Sequence, residues 1–341
     1  MLRRLVELMK ILVTGGAGYI GGTVAGLLIQ KGHQAVVLDD LSHGKRELLP
    51  AGVEFVEGAL SDRGLIENLF ISAKKQGKPF DGVLHFAALI EAGESMVKPE
   101  TFFRNNTAST LALLEAILAH GPKRVVFSST AAVYGEPEVV PIRESAKLQP
   151  TNPYGESKLL VEHMLRWFNQ IHGLHYASLR YFNVAGAPEG PEGITRGEAH
   201  EPESHLIPLV LDVALGRRDS IKIFGDDYET ADGTCVRDYV HVADLADAHL
   251  LALEALETKD KLIYNLGNGA GFSVLEVIES ARRVTGHPIP AVLHPRRAGD
   301  PAVLVASSEK AIEELGWKPK YTELDEIIRT AWGWHQRRYA K

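Results

Sequence analysis

The segment TNPYGESK, residues 151–158, places a phenol and an ammonium group four residues apart in the chain. On a helix, Tyr154 and Lys158 would share one face, with their Cβ atoms about 6 Å apart. A free tyrosine has a pKa of about 10, and a neighbouring positive charge favours the phenolate form. Lowering that pKa to about 7 takes roughly 4 kcal/mol of such interaction. The pair is therefore a candidate acid/base group, although Tyr and Lys at this spacing are also common on helix surfaces.

A run of hydroxyl side chains precedes this pair and follows an apolar segment. The stretch FSSTAAVYG puts Ser128, Ser129 and Thr130 where a buried strand would end. Active sites of open parallel sheets form at the carboxyl ends of their strands. We expect the Thr130 hydroxyl to bind the same reacting oxygen as Tyr154, the alternative being a simple cap of the strand end.

A glycine-rich stretch near the N-terminus predicts a nucleotide site. VTGGAGYIG places Gly15, Gly18 and Gly21 between an apolar strand and a helical pattern, where a bare backbone can approach a pyrophosphate. Asp39 and Asp40 end the next apolar run, about twenty residues further on, where a carboxylate can bind the ribose hydroxyls of adenosine. A carboxylate there repels a 2′-phosphate, so the sequence favours NAD over NADP.

These groups need a scaffold, and hydrophobic periodicity predicts one. Apolar runs indicate strands at KILVTGG, QAVVLDD, VEFVEGA, GVLHFAA, KRVVFSST and YASLRYFN, and apolar residues at helical spacing separate several of them. Strands that alternate with amphipathic helices predict an α/β fold: a Rossmann-type, doubly wound parallel sheet covered on both faces.

The composition changes after Asn183. The stretch VAGAPEGPEGITRGEAHEPESH is rich in Gly, Pro and Glu and lacks periodicity, which indicates a loop or a domain crossing. Further on, Ser273 and Glu276 form the capping box of a predicted helix. We expect an NAD-binding domain at 9–184, to which 236–268 return, a smaller C-terminal substrate domain at 185–235 and 269–341, and an N-terminal extension at 1–8.

Composition limits the partners. The 341 residues carry a formal net charge of −7, so we expect no nucleic-acid partner. No apolar run reaches the roughly 18–20 residues of a membrane span, so we expect no membrane partner. The single cysteine, Cys235, rules out an intrachain disulfide and fits a reducing cytoplasm. We expect no metal site, since one cysteine cannot form a cluster and the 14 histidines show no H-E-x-x-H pattern.

Residues 9–335 resemble the extended short-chain dehydrogenase/reductases and, within them, the nucleotide-sugar 4-epimerases. The resemblance rests on VTGGAGYIG, HFAALIEAGESMVKP, FSSTAAVYG, NPYGESK, LRYFNVAGA, GRRDSIKIFGDDYETADGTCVRDYVHVADLADAH, YNLGNG and RRAGDP. It implies an NAD-dependent isomerase that interconverts UDP-galactose and UDP-glucose. Tightly held NAD would take a hydride from C4 of the UDP-hexose, the 4-ketose would rotate, and the hydride would return to its other face.

The resemblance also implies roles for individual residues. Tyr154 would be the acid/base, Lys158 its electrostatic partner and ribose anchor, and Thr130 the hydroxyl that shortens the proton path. The implied cofactor-binding residues are Gly15, Gly18, Tyr19, Ile20, Gly21, Asp39, Asp40, Leu60, Phe86, Ala87, Ala88, Asn105, Ser128, Tyr154, Lys158, Tyr181 and Phe182. The implied substrate-binding residues are Thr130, Asn183, His205, Leu206, Phe224, Arg237, Arg297, Asp300 and Leu304.

The sequence departs from the family pattern at several of these places. Ala59 stands where relatives often carry an aspartate near the adenine, and Ile90 where some carry a lysine near the cofactor phosphates. His205 replaces an asparagine in the diphosphate region. Leu304 stands where some members have a tyrosine that crowds the 2-position of the sugar, so the resemblance implies that UDP-GlcNAc and UDP-GalNAc are accepted as well.

Several alternatives stay open at this point. A 4,6-dehydratase is disfavoured because relatives with that activity have Asp-Glu directly after the strand-end threonine, where this chain has Ala131 and Ala132. An epimerase or decarboxylase for UDP-glucuronate or a UDP-pentose, and a non-catalytic NAD-binding regulator, remain alternatives. The resemblance further implies a homodimer formed by helices near 105–119 and 157–170, whose apolar stripes would equally suit packing on the sheet.

Overall fold

The computed structural model describes residues 8–190, 193–297 and 300–339. The strands are β1 Lys10–Thr14, β2 Gln34–Asp39, β3 Glu54–Glu57, β4 Gly82–His85, β5 Arg124–Thr130, β6 His175–Tyr181, β7 Asn183–Ala185, β8 Glu189–Gly190, β9 Gly193–Ile194, β10 Ile221–Phe224, β11 Val236–His241, β12 Lys261–Leu266, β13 Gly271–Ser273, β14 Ala291–His294 and β15 Val303–Leu304. The helices are α1 Tyr19–Gln30, α2 Arg63–Lys75, α3 Ala92–Ser95, α4 Pro99–Phe102, α5 Ser109–His120, α6 Pro153–His172, α7 Leu206–Ala214, α8 Val242–Ala255, α9 Val274–Thr285, α10 Glu309–Leu315 and α11 Leu324–Tyr339.

The main sheet has seven strands in the order β12-β6-β5-β4-β1-β2-β3. Every neighbouring pair in it is parallel. The chain runs outward from β1 in one direction through β2 and β3, and then in the other direction through β4, β5 and β6. The strand order therefore reverses beside β1, which is where open α/β sheets bind their ligands.

Helices cover both faces of this sheet. On one face, α1 and α8 pack against the sheet through fully buried residues such as Val24, Leu28 and Leu245. On the other face, α2, α5 and α6 pack through Ile66, Leu113 and other apolar side chains. Each fully buried Leu or Ile contributes roughly 1.5–3 kcal/mol of transfer free energy. The predicted doubly wound α/β fold is confirmed.

A second core lies around a smaller set of strands. In it, α7, α9 and α11 pack together through residues such as Leu211, Val277 and Ile328. Strand β11 pairs with β7, β13 and β15, and β10 pairs with β14. The capping box of α9 is present as predicted: Ser273 Oγ accepts from Glu276 N at 3.0 Å, and the Glu276 carboxylate accepts from Ser273 N at 2.7 Å.

Helix α8 and strand β12 pack with the large sheet, whereas β11 belongs to the smaller set. The domain limits given above remain a prediction. Residues 1–7 of the expected N-terminal extension lie outside the described residues. Among the residues that are described, no helix combines the length and apolar character needed to cross a bilayer.

Candidate active site

A cavity of about 410 Å³ opens at the carboxyl ends of the large sheet, beside β1. Its wall contains each residue predicted for the cofactor: Gly15, Gly18, Tyr19, Ile20, Gly21, Asp39, Asp40, Leu60, Phe86, Ala87, Ala88, Asn105, Ser128, Tyr154, Lys158, Tyr181 and Phe182. The structure thus brings these side chains together, while their binding roles remain predictions. Ile90 also lines the cavity, and Gly58 and Leu60 line it on either side of Ala59.

The glycine-rich turn between β1 and α1 is too tight for side chains. Gly15 has φ +72°, and a Cβ added to it would lie 2.5 Å from Ala87 N. A Cβ on Gly21 would lie 2.4 Å from Gly15 O. Gly18 is the N-cap of α1 and offers no side-chain cap, so the first N–H groups of this helix are left for a ligand at the cavity. This turn is suited to bind a pyrophosphate.

Asp39 is held in place at the end of β2. Its carboxylate accepts from Ala17 N at 3.0 Å and from Leu41 N at 2.9 Å. Burial raises the pKa of Asp39, although these two backbone bonds work against the shift. Asp40 is exposed and bonds to Ser42 instead. Asp39 is therefore the better placed of the two carboxylates to bind ribose hydroxyls.

Helix α6 begins directly before Tyr154, so both members of the catalytic pair lie in its first turns. Asn152 is the N-cap and accepts from Gly155 N at 2.9 Å, and Pro153 follows as the first helical residue. A Cβ on Gly155 would lie 2.6 Å from Ala132 O, so the first turn of α6 packs directly against the turn that follows β5. This close contact places Tyr154 beside Thr130.

Contacts of Thr130 and Lys158 connect the first turns of α6 to the carboxyl end of β5. The Thr130 hydroxyl lies beside the Tyr154 phenol and acts to lower the pKa of that phenol. Lys158 Nζ donates to Ser128 O at 2.9 Å and lies 5.0 Å from the centre of the Phe127 ring. The three residues predicted to be catalytic therefore surround one end of the cavity.

The sequence predicts that Lys158 lowers the pKa of Tyr154, but in this structure the pKa of Tyr154 is raised. Burial raises the pKa of Tyr154, and the Thr130 hydroxyl only partly opposes that shift. Burial also lowers the pKa of Lys158 to about 7. Removal from water disfavours the charged forms of both side chains, the Tyr154 phenolate and the Lys158 ammonium. Neither charge stabilises the other enough to offset this cost. A further positive charge beside the phenol is therefore needed to make Tyr154 a base at neutral pH.

Asn106 is a positioning residue that the sequence analysis missed. Its side chain accepts from Leu89 N at 2.8 Å and donates to Leu89 O at 3.0 Å and to Ser157 Oγ at 3.0 Å. Asn106 thereby ties the loop after β4 to the first turns of α6. Its neighbour Asn105 lines the cavity and donates to Asn106 Oδ1 at 3.1 Å. Only the close packing of these segments in the fold reveals the role of Asn106.

Five of the nine residues predicted to bind substrate belong to the cavity wall. Thr130, Asn183, His205, Arg237 and Leu304 all line the cavity. Arg237 is held by the carboxylate of Asp300 at 3.1 Å and by its own strand at Val236 O at 2.8 Å. Leu304 lies on β15 directly opposite Arg237.

Four predicted substrate residues lie outside the cavity wall. Leu206, Phe224, Arg297 and Asp300 are absent from its described lining. Arg297 stacks on the Phe224 ring at 4.0 Å, and Asp300 reaches the cavity only through Arg237. Leu206 begins α7 and packs against the second core. If these residues bind substrate, they do so at the rim.

His205 has a different environment from that of the other lining residues. It is the N-cap residue of α7, and its Nδ1 lies 2.8 Å from Glu198 and 2.9 Å from Glu203. Burial opposes protonation of this imidazole, but the two carboxylates outweigh it and raise the pKa of His205 well above its usual range. The sequence analysis assigned His205 to the diphosphate and did not foresee this cluster.

Comparison with known proteins agrees with this geometry. Residues 11–267 match the model of the NAD dependent epimerase/dehydratase family. The chain belongs to this family. It is 56% identical to the UDP-glucose 4-epimerase of Streptomyces lividans over 327 residues, which cover 96% of each chain.

Two solved structures share the fold closely. The UDP-glucose 4-epimerase of Brucella ovis in complex with NAD superposes with a TM-score of 0.89 at 44% identity, covering 95% of this chain and 98% of that one. The UDP-glucose 4-epimerase of Bifidobacterium longum in complex with NAD+ and UDP gives a TM-score of 0.89 at 38% identity, covering 97% and 98%. The family resemblance deduced from the sequence is confirmed.

Proposed function

We propose that this protein is a UDP-glucose 4-epimerase that interconverts UDP-galactose and UDP-glucose with bound NAD. The observation that carries the proposal is the convergence of Tyr154, Thr130 and Lys158 on the cavity that also contains the glycine-rich turn. Arg237, which lines the same cavity, would supply a cation for the substrate. The 56% identity with the Streptomyces lividans enzyme supports the assignment.

The residues that line the cavity are suited to bind a dinucleotide. The turn at Gly15 and Gly21 leaves no room for a Cβ, and it directs the N-terminus of α1 toward the pyrophosphate position. Asp39 would accept from the adenosine ribose hydroxyls, and Lys158 would anchor the nicotinamide ribose. When bound, NAD supplies reversible two-electron oxidation at C4 of the sugar. Ala59 in place of an aspartate removes one possible adenine contact, so Asp39 would provide most of the polar recognition on that side.

Tyr154 would remove the proton of the C4 hydroxyl and later return it. The Thr130 hydroxyl, beside the phenol, would bind the reacting oxygen and shorten the proton path. Lys158, which donates a hydrogen bond to Ser128 O, would stabilise the phenolate of Tyr154 while the lysine itself is protonated. Without that charge, the burial of Tyr154 keeps the phenol neutral.

The substrate diphosphate requires positive charge. Arg237 is mostly buried and fixed by Asp300, so its guanidinium is pre-oriented for charge-assisted hydrogen bonds. Arg297, stacked on Phe224 at the rim, would add a second cation, and Asp300 would also accept from the uridine ribose. Asn183 also lines the cavity and would contact the bound UDP-sugar.

One feature of the cavity argues against elimination chemistry. Ala131 and Ala132 follow Thr130 and line the wall where a dehydratase needs an acid and a base. An epimerase or decarboxylase acting on UDP-glucuronate or a UDP-pentose is the remaining enzymatic alternative. A non-catalytic NAD-binding regulator is disfavoured because Thr130, Tyr154 and Lys158 are all present and line one cavity.

We further infer a homodimer formed by α5 and α6. Leu113 and Leu165 are buried against the sheet, which leaves a second apolar face on these helices. On that face, Leu111 is 38% exposed, Leu118 40%, Trp167 50% and Ile171 66%. Adjacent exposed side chains of this size are typical of protein interfaces. A cytoplasmic location is consistent with the free, buried Cys235.

Incubation of the purified protein with UDP-galactose, with and without added NAD, tests the proposed function. We expect UDP-glucose to form in both conditions without stoichiometric NADH. If neither condition gives product, while UDP-glucuronate or a UDP-pentose is converted, the substrate assignment is wrong. If no nucleotide sugar is converted but NAD binds, the regulator alternative replaces the enzyme.

A further inference from the structure

The segment 196–205 joins the two parts of the fold across the cavity. Arg196 donates to Gly22 O on α1 at 2.7 Å, and Lys45 pairs with Glu201 at 2.7 Å. From the other side, Trp334 Nε1 on α11 donates to Glu198 O at 2.7 Å. We call residues 196–205 the bridging segment. Its sequence, RGEAHEPESH, contains two histidines and three glutamates.

Four side chains of the bridging segment converge on one point. Glu198, His200, Glu203 and His205 each place one oxygen or imidazole nitrogen within 4.8 Å of the others. His200 Nδ1 lies 3.2 Å from Glu198 and 3.9 Å from Glu203, and His205 Nδ1 lies 2.8 Å and 2.9 Å from the same two carboxylates. Both imidazoles therefore present Nδ1 to the same pair of carboxylates.

Hydrogen bonding accounts for this arrangement only if His205 shares one proton between two carboxylates. An imidazole nitrogen carries at most one proton, yet two carboxylates approach His205 Nδ1 within 2.9 Å. Glu198 in turn is shared between His200 and His205. A cation at the centre would satisfy all four groups at once, because each would donate a lone pair to it.

The spacing matches what a small transition metal requires. Zinc bonds to His nitrogen and carboxylate oxygen are about 2.0–2.2 Å long, so ligand atoms at the corners of a tetrahedron lie roughly 3.3–3.6 Å apart. The two nitrogen–oxygen distances at His200, 3.2 and 3.9 Å, lie on either side of that range. The two at His205, 2.8 and 2.9 Å, are shorter and would lengthen by about 0.5 Å around an ion. Imidazole ligands favour zinc or a similar transition metal over calcium or magnesium, which prefer oxygen ligands.

The groups around the cluster orient its members. Glu203 Oε1 accepts from the backbone N–H groups of Ser204 at 2.8 Å and His205 at 2.9 Å, which fixes that carboxylate. Trp334 fixes the backbone of Glu198, which is itself buried. Ligands of structural and catalytic metals are commonly held by such outer contacts. Glu198, His200 and His205 also line the cavity, which gives an ion a path of entry.

We propose that Glu198, His200, Glu203 and His205 bind one divalent transition-metal ion of the zinc class that fixes the bridging segment over the cavity. The ion would neutralise the carboxylates of Glu198 and Glu203, and Glu198 lines the same cavity as the glycine-rich turn where an anionic ligand is expected. It would stabilise the wall of the cavity without touching the reacting atoms. His205 would then be a metal ligand rather than a diphosphate contact.

Metal titration of the full-length protein tests this proposal and needs no turnover. Protein treated with a chelator and then desalted is titrated with Zn2+ by calorimetry, and with Co2+ while its visible absorption is recorded. We expect saturable binding of one ion per chain, an intense tetrahedral Co2+ spectrum, and a higher Tm with Zn2+. Because metal binding is measured directly, a failure to bind Zn2+ leaves the epimerase assignment intact. A failure to convert UDP-galactose likewise leaves the metal proposal intact.

Matched variants distinguish the cluster from adventitious binding. His200→Ala and Glu203→Gln should each weaken Zn2+ binding at least tenfold and remove the Tm increase. Glu201→Gln changes a glutamate in the same segment that pairs with Lys45 and Arg338, and it should bind Zn2+ like the wild type. If the wild type does not bind one Zn2+ per chain, the proposal is wrong. The cluster is then a set of ion pairs between protonated histidines and the two glutamates. Unchanged affinity in both folded ligand variants would overturn the proposal as well.

Discussion

Lys158 Nζ donates a hydrogen bond to the backbone carbonyl of Ser128, with the two atoms 2.9 Å apart. This contact joins the first turns of α6 to the carboxyl end of β5, so the ammonium group and the Thr130 hydroxyl are positioned by the same strand. Lys158 is only 2% exposed, and burial lowers its pKa to about 7. The charge that would activate Tyr154 is therefore itself sensitive to its surroundings.

Replacing Tyr154 with phenylalanine should separate catalysis from cofactor binding. The substitution removes only the titrating oxygen, so turnover of UDP-galactose should fall by about 10²–10⁴-fold, as expected for loss of a general acid/base. The NAD content, measured after denaturing the protein, should stay near the wild-type level. The matched control is Tyr176→Phe, since Tyr176 is buried in the core of the sheet and away from the cavity. Wild-type turnover in Tyr154→Phe would contradict the assignment of the base.

The buried Lys158 predicts a pH dependence of stability in NAD-free protein. Lys158 has a folded-state pKa of about 7, and an unfolded lysine has one of about 10.4, so between these values the unfolded chain binds more protons. Folding stability contributed by this group therefore rises as the pH increases from about 7 to about 10. The slope should approach roughly 1.4 kcal/mol per pH unit.

Urea denaturation of the wild type and of Lys158→Met at several pH values measures this effect. The methionine keeps the volume and removes the titration, so ionisable groups that do not interact with Lys158 cancel in the difference. His85 does interact with Lys158, but burial and the lysine charge lower the pKa of His85 to about 3, so it stays neutral in the folded protein above pH 7. The wild type should gain stability relative to the variant between pH 7 and pH 9. A difference that stays constant over this range would mean that the Lys158 pKa is not depressed.

Leu304 should control access for acetamido sugars. It lies on β15 opposite Arg237 and lines the cavity, where it packs beside Ala131 and Phe182. A tyrosine here would fill the space available to a 2-acetamido group. Leu304→Tyr should lose activity on UDP-GalNAc and keep most activity on UDP-galactose, whereas Leu304→Met should keep both, because methionine has a similar volume. Equal loss of both activities in Leu304→Tyr would argue against a selective gate.

The proposed dimer predicts that a charge on its apolar face changes the oligomeric state. Trp167 is half exposed on α6, so Trp167→Glu should shift the protein from dimer to monomer in sedimentation velocity experiments. Val139 is 72% exposed in the segment before α6, and Val139→Glu is the control that should stay dimeric. A wild-type protein that sediments as a monomer at micromolar concentration would refute the dimer itself.

Sequence patterns predicted most of the fold because the relevant signals are local. Gly15 and Asp39 are recognisable from their positions after adjacent strands, and Tyr154 and Lys158 from helical spacing. Helix α2 was not named, although Ile66, Phe70 and Ala73 follow helical periodicity and are buried. Its mixed composition gave a weaker signal than the neighbouring strands did.

The less predictable features depend on contacts between distant segments. Asn106 has no motif of its own, and its role follows only from the approach of Leu89 and Ser157. The bridging segment lacks periodicity and is predicted only as a loop or a domain crossing, yet its fold brings four ligand-type side chains together. The reversed direction of the Tyr154 pKa shift has the same cause: burial is a tertiary property that spacing along a helix does not reveal.

The most direct test of the central claim uses UDP-galactose labelled with deuterium at C4. If the sugar is oxidised and reduced within one closed site, the UDP-glucose formed in ordinary water should keep the label at C4, and no free NADH should accumulate. Nuclear magnetic resonance of the product measures the retained deuterium. Loss of the label to solvent, or stoichiometric release of NADH, would contradict epimerisation by internal hydride return.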